Sequence, residues 1–244
     1  MKCIPVFFAV AASFILLSAY KENNANRNPS RPNSKPNIIF ILTDDQRWDA
    51  LGFAGNPIIK TPNIDGLARG GIYFKNAFAS TPICAASRAS LFTGLYERTH
   101  DYTFGKLPLS NQYMLESYPY LLRKAGYQTG FVGKFGVKVN KGIESAMFSV
   151  SKQTAWPYIK EIDGKKIHLA DINGNHAIDF IQSNKDQPFC LSLSFWSPHA
   201  DDDSKQQYFW PSYCDSLYTD ARIPCHPLQI PLFLMHCQPS FNKP

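Results

Sequence analysis

No dense run of Lys or Arg occurs in the 244 residues, although the net charge is +6 at pH 7. The electrostatic footprint of a nucleic-acid binder is therefore missing, and the mild excess suits small anionic substrates instead. The six cysteines offer no close pair at zinc-ligand spacing, so zinc is not indicated. The apolar run from Ile4 to Leu17 is short for a bilayer span, and no Cys follows Ser18-Ala19 to take a lipid anchor there. What is present at the start is the pattern of a secretory signal: Lys2, the apolar run, then a small pair where a peptidase could cut. Residues 1–20 are accordingly expected to be a signal peptide and the protein to be exported, to a periplasm, an extracellular space or a lysosomal-type lumen. Residues 21–36, rich in Asn, Ser, Pro and basic side chains, read as a flexible lead-in. With 44% hydrophobic residues the remainder can bury a sizeable core, and one large α/β domain starting near Asn37 is the expected organisation.

Ile38 to Leu42 is an unbroken apolar run of strand length, which predicts a parallel strand covered on both faces. Asp44 and Asp45 follow at its carboxyl end, where open α/β sheets bind ligands. Adjacent carboxylates repel, so the pair suggests a hard, oxygen-seeking divalent ion, with a solvated turn or helix cap as the plain alternative. Thr61-Pro62 predicts a helix start, Ile64, Leu67 and Ala68 give it one apolar stripe, and Gly70-Gly71 ends it. Ile72 to Phe78 is a short strand candidate. The chain then turns through Ser80 to Pro82 into a helix starting near Cys84, and the βαβ order brings Cys84 to the sheet edge that carries Asp44 and Asp45. A thiol at a helix start with Arg88 one turn on is either a low-pKa nucleophile or a residue marked for modification, against the ordinary reading of a buried Cys.

Further on, Tyr96 to Tyr102 is a polar and aromatic segment that fits a sugar-lining wall and a surface loop equally well. Tyr120 to Gly126 predicts the end of a helix, and Tyr127 to Val132 a strand that delivers Gly133-Lys134-Phe135-Gly136. A helix is expected over Leu169 to Ser183, with Asp171, Asn173, Asn175 and His176 as structural polar groups. Phe189 to Phe195 is the next strand, ending in Ser197-Pro198-His199. From residue 221 Pro recurs, with Cys225 and Cys237, and no period persists, so 221–244 reads as an irregular tail.

Cys84-Ala85-Ala86-Ser87-Arg88, followed by Thr93-Gly94, resembles the signature of the type I sulfatases, in which a modifying enzyme oxidises the Cys to formylglycine. Pro36 to Gln46 and Thr61 to Ala68 resemble the family's upstream motifs. The likeness covers about residues 36 to 220, by family standards the front half of a catalytic domain. It implies an alkaline-phosphatase-like α/β sandwich, with a largely parallel central sheet, helices on both faces and the C-terminal portion missing; residues 37–220 would be the incomplete N-terminal catalytic domain. It also implies one Ca2+ on Asp44, Asp45 and the group made from Cys84. Catalytic roles fall to Cys84, Arg88, Lys134 and His199. Lys134 matches the Lys of the family's Gly-Lys-Trp-His stretch, and Pro198-His199 resembles a Pro-His pair that touches sulfate or the leaving oxygen. Gly136 stands where a His is common, with His100 as a candidate replacement in substrate binding and turnover. The partners implied are a sulfate ester, with a sulfated carbohydrate foremost, and a formylglycine-generating or anaerobic sulfatase-maturing enzyme. The family's second metal-binding half, a later Lys and a smaller subdomain find no match, which suggests a truncation or a shifted reading frame. Two rivals stand beside this expectation: a phosphonate or phosphodiester hydrolase of the same superfamily, and a truncated, non-catalytic anion-binding or non-folding fragment.

Overall fold

The computed structural model describes residues 35–222; the expected signal peptide, nearly all of the lead-in and the tail beyond Arg222 lie outside the described residues. Strand β1 (Ile38–Asp44) opens the fold. Helix α1 (Pro62–Gly70) follows with Pro in its first turn. Thr61, just before it, donates its hydroxyl to Asp65 Oδ1 at 2.7 Å and accepts the Gly52 N–H at 2.9 Å, which ties the preceding loop to the helix start. Helix α2 (Cys84–Thr93) stops at Gly94, whose left-handed φ of 71° lets its N–H close on the Ser90 carbonyl. Short helices α3 (Glu97–His100), α4 (Asn111–Met114) and α5 (Tyr118–Lys124) lead to β2 (Gln128–Gly133). The chain continues through α6 (Ile143–Met147), β3 (Val150–Gln153), the hairpin of β4 (Ile159–Ile162) and β5 (Lys165–His168), α7 (Leu169–Ser183) and β6 (Phe189–Pro198), then a 3-10 turn at Ser212–Cys214.

Strands β1, β6, β2 and β3 form one parallel sheet in that order, and β4 with β5 a separate antiparallel pair. The Leu-Ser-Leu-Ser alternation of β6 splits its side chains between two faces. Leu191 and Leu193 join Val132, Ala177, Phe180 and Phe189 under α7. Ser192 and Ser194 take the opposite face, where Phe131 meets Ala85, Ala89 and Phe92 of α2 in the larger core. Gly130 is required by the first packing, because a Cβ there would stand 2.5 Å from the Phe180 ring. Helices thus cover both faces of a parallel sheet, the α/β architecture that the apolar strand runs imply.

Two expectations are corrected. Ile72 to Phe78 forms no strand; Ile72, Phe74 and Phe78 are 82%, 75% and 89% exposed. Apolar β-prone residues cannot make a strand where no neighbouring strand takes up their backbone hydrogen bonds. The run Ile38 to Leu42 is a parallel strand, yet it lies at an edge of the described sheet, and among the described residues only one of its faces is covered. Phe40 and Leu42 sit with α2, whereas Ile39 and Ile41, on the α7 face, are 47% and 53% exposed because α7 packs on β6 and β2. The helix expected to end at Gly126, the strand reaching Val132 and the helix over Leu169–Ser183 are all found.

Candidate active site

The carboxyl ends of β1, β2 and β6 bring Asp44, Lys134 and Ser194 together under the first turns of α2. Cys84 occupies the first position of α2 as a free, half-buried thiol, where unpaired backbone N–H groups and the helix dipole favour negative charge. Arg88, one turn on, is 4% exposed and donates from Nη1 to the Lys134 carbonyl at 2.6 Å and to Ser194 Oγ. Its Nη2 lies 3.5 Å from Asp44 Oδ2 without making a hydrogen bond. Lys134 donates to the same Asp44 oxygen and lies 4.4 Å above the Trp196 ring. Burial pulls the Arg88 guanidinium below its ordinary value, against the raising effect of Asp44 and Cys84, but an Arg remains charged. Two buried cations therefore face one buried carboxylate. The surplus positive charge, and an Nη2 that has no hydrogen-bond partner among the described residues, make the place electrostatically ready for a further anion.

Glycines decide this geometry at two points. Gly133, at φ 102°, lies so close to β6 that a Cβ would stand 1.9 Å from the Ser194 carbonyl oxygen, the same oxygen that accepts the Lys134 N–H at 2.9 Å. Only a residue without a side chain lets β2 hand Lys134 to Asp44 at this distance. Gly136, at φ 68°, is set against Arg88: a Cβ there would meet Arg88 Cδ at 2.6 Å. The position where the resembling family commonly carries a His is filled here by the stem of the arginine.

His199 follows the Ser197–Pro198 bond at the end of β6, half-buried beside Trp156, with ring centroids 5.9 Å apart. Its Nδ1 is 2.6 Å from the Ala200 carbonyl, which can only accept, so Nδ1 carries the proton and Nε2 is left for an outside partner. Trp156 in turn packs on Trp196 at 5.0 Å, so an aromatic wall links His199 to Lys134. Residues that sequence reasoning missed are Ser194, Trp156, Trp196 and Tyr158, whose hydroxyl reaches the His199 carbonyl. For Ser194 the alternation of Ser with Leu along β6 was an available signal.

His100 is not brought to this cluster. It is 5% exposed, its Nδ1 accepts the Tyr102 N–H at 3.1 Å and its Nε2 is 3.0 Å from Ser90 Oγ, six positions and about 9 Å along α2 from Cys84. With both nitrogens engaged, and burial lowering its pKa, it is a neutral ring that fastens α3 to α2. The same plain role holds for Asn173, fully buried and bonded by Thr154, and for Asp171, bonded by Tyr213.

A cation expected on Asp44, Asp45 and Cys84 does not find a complete set of donors. Among the described residues no three His, Cys, Asp or Glu side chains are gathered closely enough to hold a metal ion. Asp44 is turned to Lys134 and Arg88, and Asp45 is exposed at a left-handed φ of 60°. Calcium takes about six to eight oxygens, so these residues alone do not fit it.

The sulfatase family profile matches residues 36–222. An ulvan-active sulfatase of Formosa agariphila is 29% identical over 226 residues, 84% of this chain and 43% of that protein. An N-acetylglucosamine-6-O-sulfatase of Bacteroides thetaiotaomicron is 32% identical over 182 residues, 70% of this chain and 32% of its own length. Among solved structures, BT4656 in complex with its substrate D-glucosamine-2-N,6-O-disulfate is similar at a TM-score of 0.58 and 30% identity, over 68% of this chain and 35% of that one. The chain thus spans less than half the length of the curated relatives named here. With the parallel sheet, the helix that starts at Cys84 and the profile match over residues 36–222 in agreement, the chain belongs to the sulfatase family.

Proposed function

We propose that this chain carries the nucleophile and the anion-holding face of a sulfatase acting on sulfate esters of carbohydrates, the nucleophile being a formylglycine made from Cys84. The observation that carries the reading is the buried surplus of positive charge, Arg88 and Lys134 against the single carboxylate of Asp44, beneath a helix that begins at Cys84. Sugar sulfates are favoured because the similar proteins are named for ulvan and N-acetylglucosamine sulfates, and a similar structure holds a glucosamine disulfate.

Formylglycine supplies, once hydrated, a hydroxyl that can attack sulfur and a second hydroxyl on the same carbon that can restore the aldehyde. The chain's own residues do the rest. Arg88, fixed by Ser194 and the Lys134 carbonyl, presents Nη2 to a sulfuryl oxygen, where it completes the hydrogen bonding that the fold leaves open. Lys134 shifts part of its pairing from Asp44 to the substrate and neutralises charge that grows on the transferring group. Asp44 keeps both cations in place, and His199 in its doubly protonated form, with Nδ1–H held by the Ala200 carbonyl, donates the Nε2 proton to the leaving oxygen. Asp44, Asp45 and the group made from Cys84 are the donors the chain would offer a calcium ion. Since they fall short of a full set, no step is assigned to a metal. A formylglycine-generating or anaerobic sulfatase-maturing enzyme is the partner this reading requires. Export through residues 1–20, to the periplasm or cell exterior, is part of the proposal, and sequencing the amino terminus of secreted protein for cleavage after Ser18-Ala19 checks it.

The test is co-expression of the full chain with a maturing enzyme, mass analysis of the peptide containing Cys84, and hydrolysis of an aryl sulfate and an aryl phosphate diester. Conversion of Cys84 and faster turnover of the sulfate are expected, with activity abolished in Cys84→Ala. Full activity in that variant, or a clear preference for the diester, overturns the proposal.

A further inference from the structure

A second cavity lies outside the Cys84 cluster. It has a volume of about 370 Å³ and lies between the segment before α2 and the start of α3, lined by Ser80, Thr81, Tyr96, Glu97, Arg98 and Thr99. One internal hydrogen bond fixes its walls, from Thr81 Oγ1 to Glu97 Oε2 at 3.0 Å. The other polar side chains that line it, Ser80, Tyr96, Arg98 and Thr99, have no side-chain hydrogen bond or ion pair among the described residues. The Tyr96 ring is 73% exposed. An exposed aromatic face, three unused hydroxyls and an unpaired guanidinium around one cleft are what a ring of alternating C–H and O–H groups with an anionic substituent can use at once. The ring stacks, the hydroxyls exchange hydrogen bonds, and the guanidinium takes two oxygens in a fork.

We infer that this cleft is a second saccharide site, which holds a sulfated sugar unit of the same polymer whose ester is presented to Cys84. The inference rests on the carbohydrate-sulfate reading and deepens it. Ser80, on the rim of the cleft, stands four residues before Cys84, so that rim lies at most about 14 Å of extended chain from Cys84, within the span of a short oligosaccharide. A polymer that occupies both gains affinity from the link between its units, whereas a small aryl sulfate reaches only the Cys84 site. The cleft therefore distinguishes polymeric from small substrates and leaves the reaction at Cys84 unchanged.

The experiment measures dissociation constants of the full chain for dextran sulfate and for unsulfated dextran, alongside hydrolysis of an aryl sulfate. Variants Arg98→Ala and Tyr96→Ala are compared with Lys166→Ala, which removes an equal charge from the exposed β5. Arg98→Ala is expected to weaken dextran sulfate binding about tenfold, the loss of one charge-assisted contact. Tyr96→Ala should weaken it about fivefold by loss of stacking. Lys166→Ala should change it by less than twofold, and none of the three should alter aryl sulfate hydrolysis. Equal losses in Lys166→Ala and Arg98→Ala would overturn the site, because binding would then follow net charge alone. Unchanged binding in both cleft variants, or equal binding of unsulfated dextran, overturns it as well. Absence of aryl sulfate turnover in otherwise intact protein would count against the catalytic reading and not against the cleft. All three positions are exposed, and thermal unfolding is the check that each variant folds.

Discussion

The middle of the sheet and its β1 edge are built to different standards. Around β2, β6 and α2 the rings of Phe92, Phe131, Phe135 and Phe148 pack at centroid distances of 5.2 to 6.4 Å, and a missing Cβ decides whether neighbouring backbones can meet. Along β1 and the segment after it, helix α1 buries none of its residues, Leu67 is 70% exposed, and the local order comes from polar links among Thr61, Asp65, Gly52 and Phe53. The candidate site uses the first kind of structure for its cations. Arg88, carried by α2, is held by Ser194 of β6 and the Lys134 carbonyl, and Lys134, just after β2, lies over Trp196 of β6, where close packing keeps water out and makes their charge effective. Asp44 is the bridge between the two regions: its strand belongs to the loose edge, while its carboxylate is bound into the tight centre.

Gly133→Ala tests the tight region most severely. With a left-handed φ and a Cβ placed 1.9 Å from the Ser194 carbonyl oxygen, it is expected to cost about 3 kcal/mol or more, or to abolish cooperative urea unfolding. Full stability would show that β2 and β6 can part locally without loss. Asp44→Asn tests the bridge. It leaves two buried cations without a counter-charge, and a loss of about 3–5 kcal/mol is expected by urea titration. A loss below about 1 kcal/mol would mean that water reaches the pair and that the site is no tighter than the edge.

A smaller effect is expected from His100. Burial holds its pKa below the ordinary value, so the folded state favours the neutral ring. Its contribution is full above the unfolded pKa, near 6.5, and declines as pH falls from there through the folded value. Thermal scans at pH 7.5 and 5.5 should show a smaller drop for His100→Gln than for the parent protein. His168 and His176, shifted the same way by burial, remain in both and cancel from the comparison. An unchanged drop would place the acid sensitivity on those residues. Leu67→Ser, at the loose edge, should shift stability by no more than about 0.5 kcal/mol. A loss above about 2 kcal/mol would reveal that the apolar stripe of α1 is covered in solution, and the contrast between the two regions would fall.

Local patterns were legible where one period or one terminator dominated. Leu169–Ser183, the strand that delivers Lys134 and the helix that begins at Cys84 all stand where periodicity, Gly stops and turn residues put them. Ile72 to Phe78 misled because β-propensity describes a side chain's fit to a pleated surface and says nothing of whether a partner strand exists. Gly136 shows the other limit. The missing His was visible in the sequence, but its reason was not, since the competitor for that space is Arg88, 48 positions earlier in the chain. His100 looked available for chemistry only because its two hydrogen-bond partners cannot be read from spacing.

The α/β class, the apolar strand runs, the Cys84–Arg88 motif and the presence of Lys134 after a strand follow from the amino-acid order alone. Each of these depends on residues within one or two turns of one another. Tertiary structure alone decided that Lys134 and Arg88 share the carboxylate of Asp44, that His100 serves packing, and that β1 is covered on one face. Those outcomes depend on which distant groups compete for a buried charge, a hydrogen bond or a patch of apolar surface, and that competition is settled only when the strands take their places in the sheet.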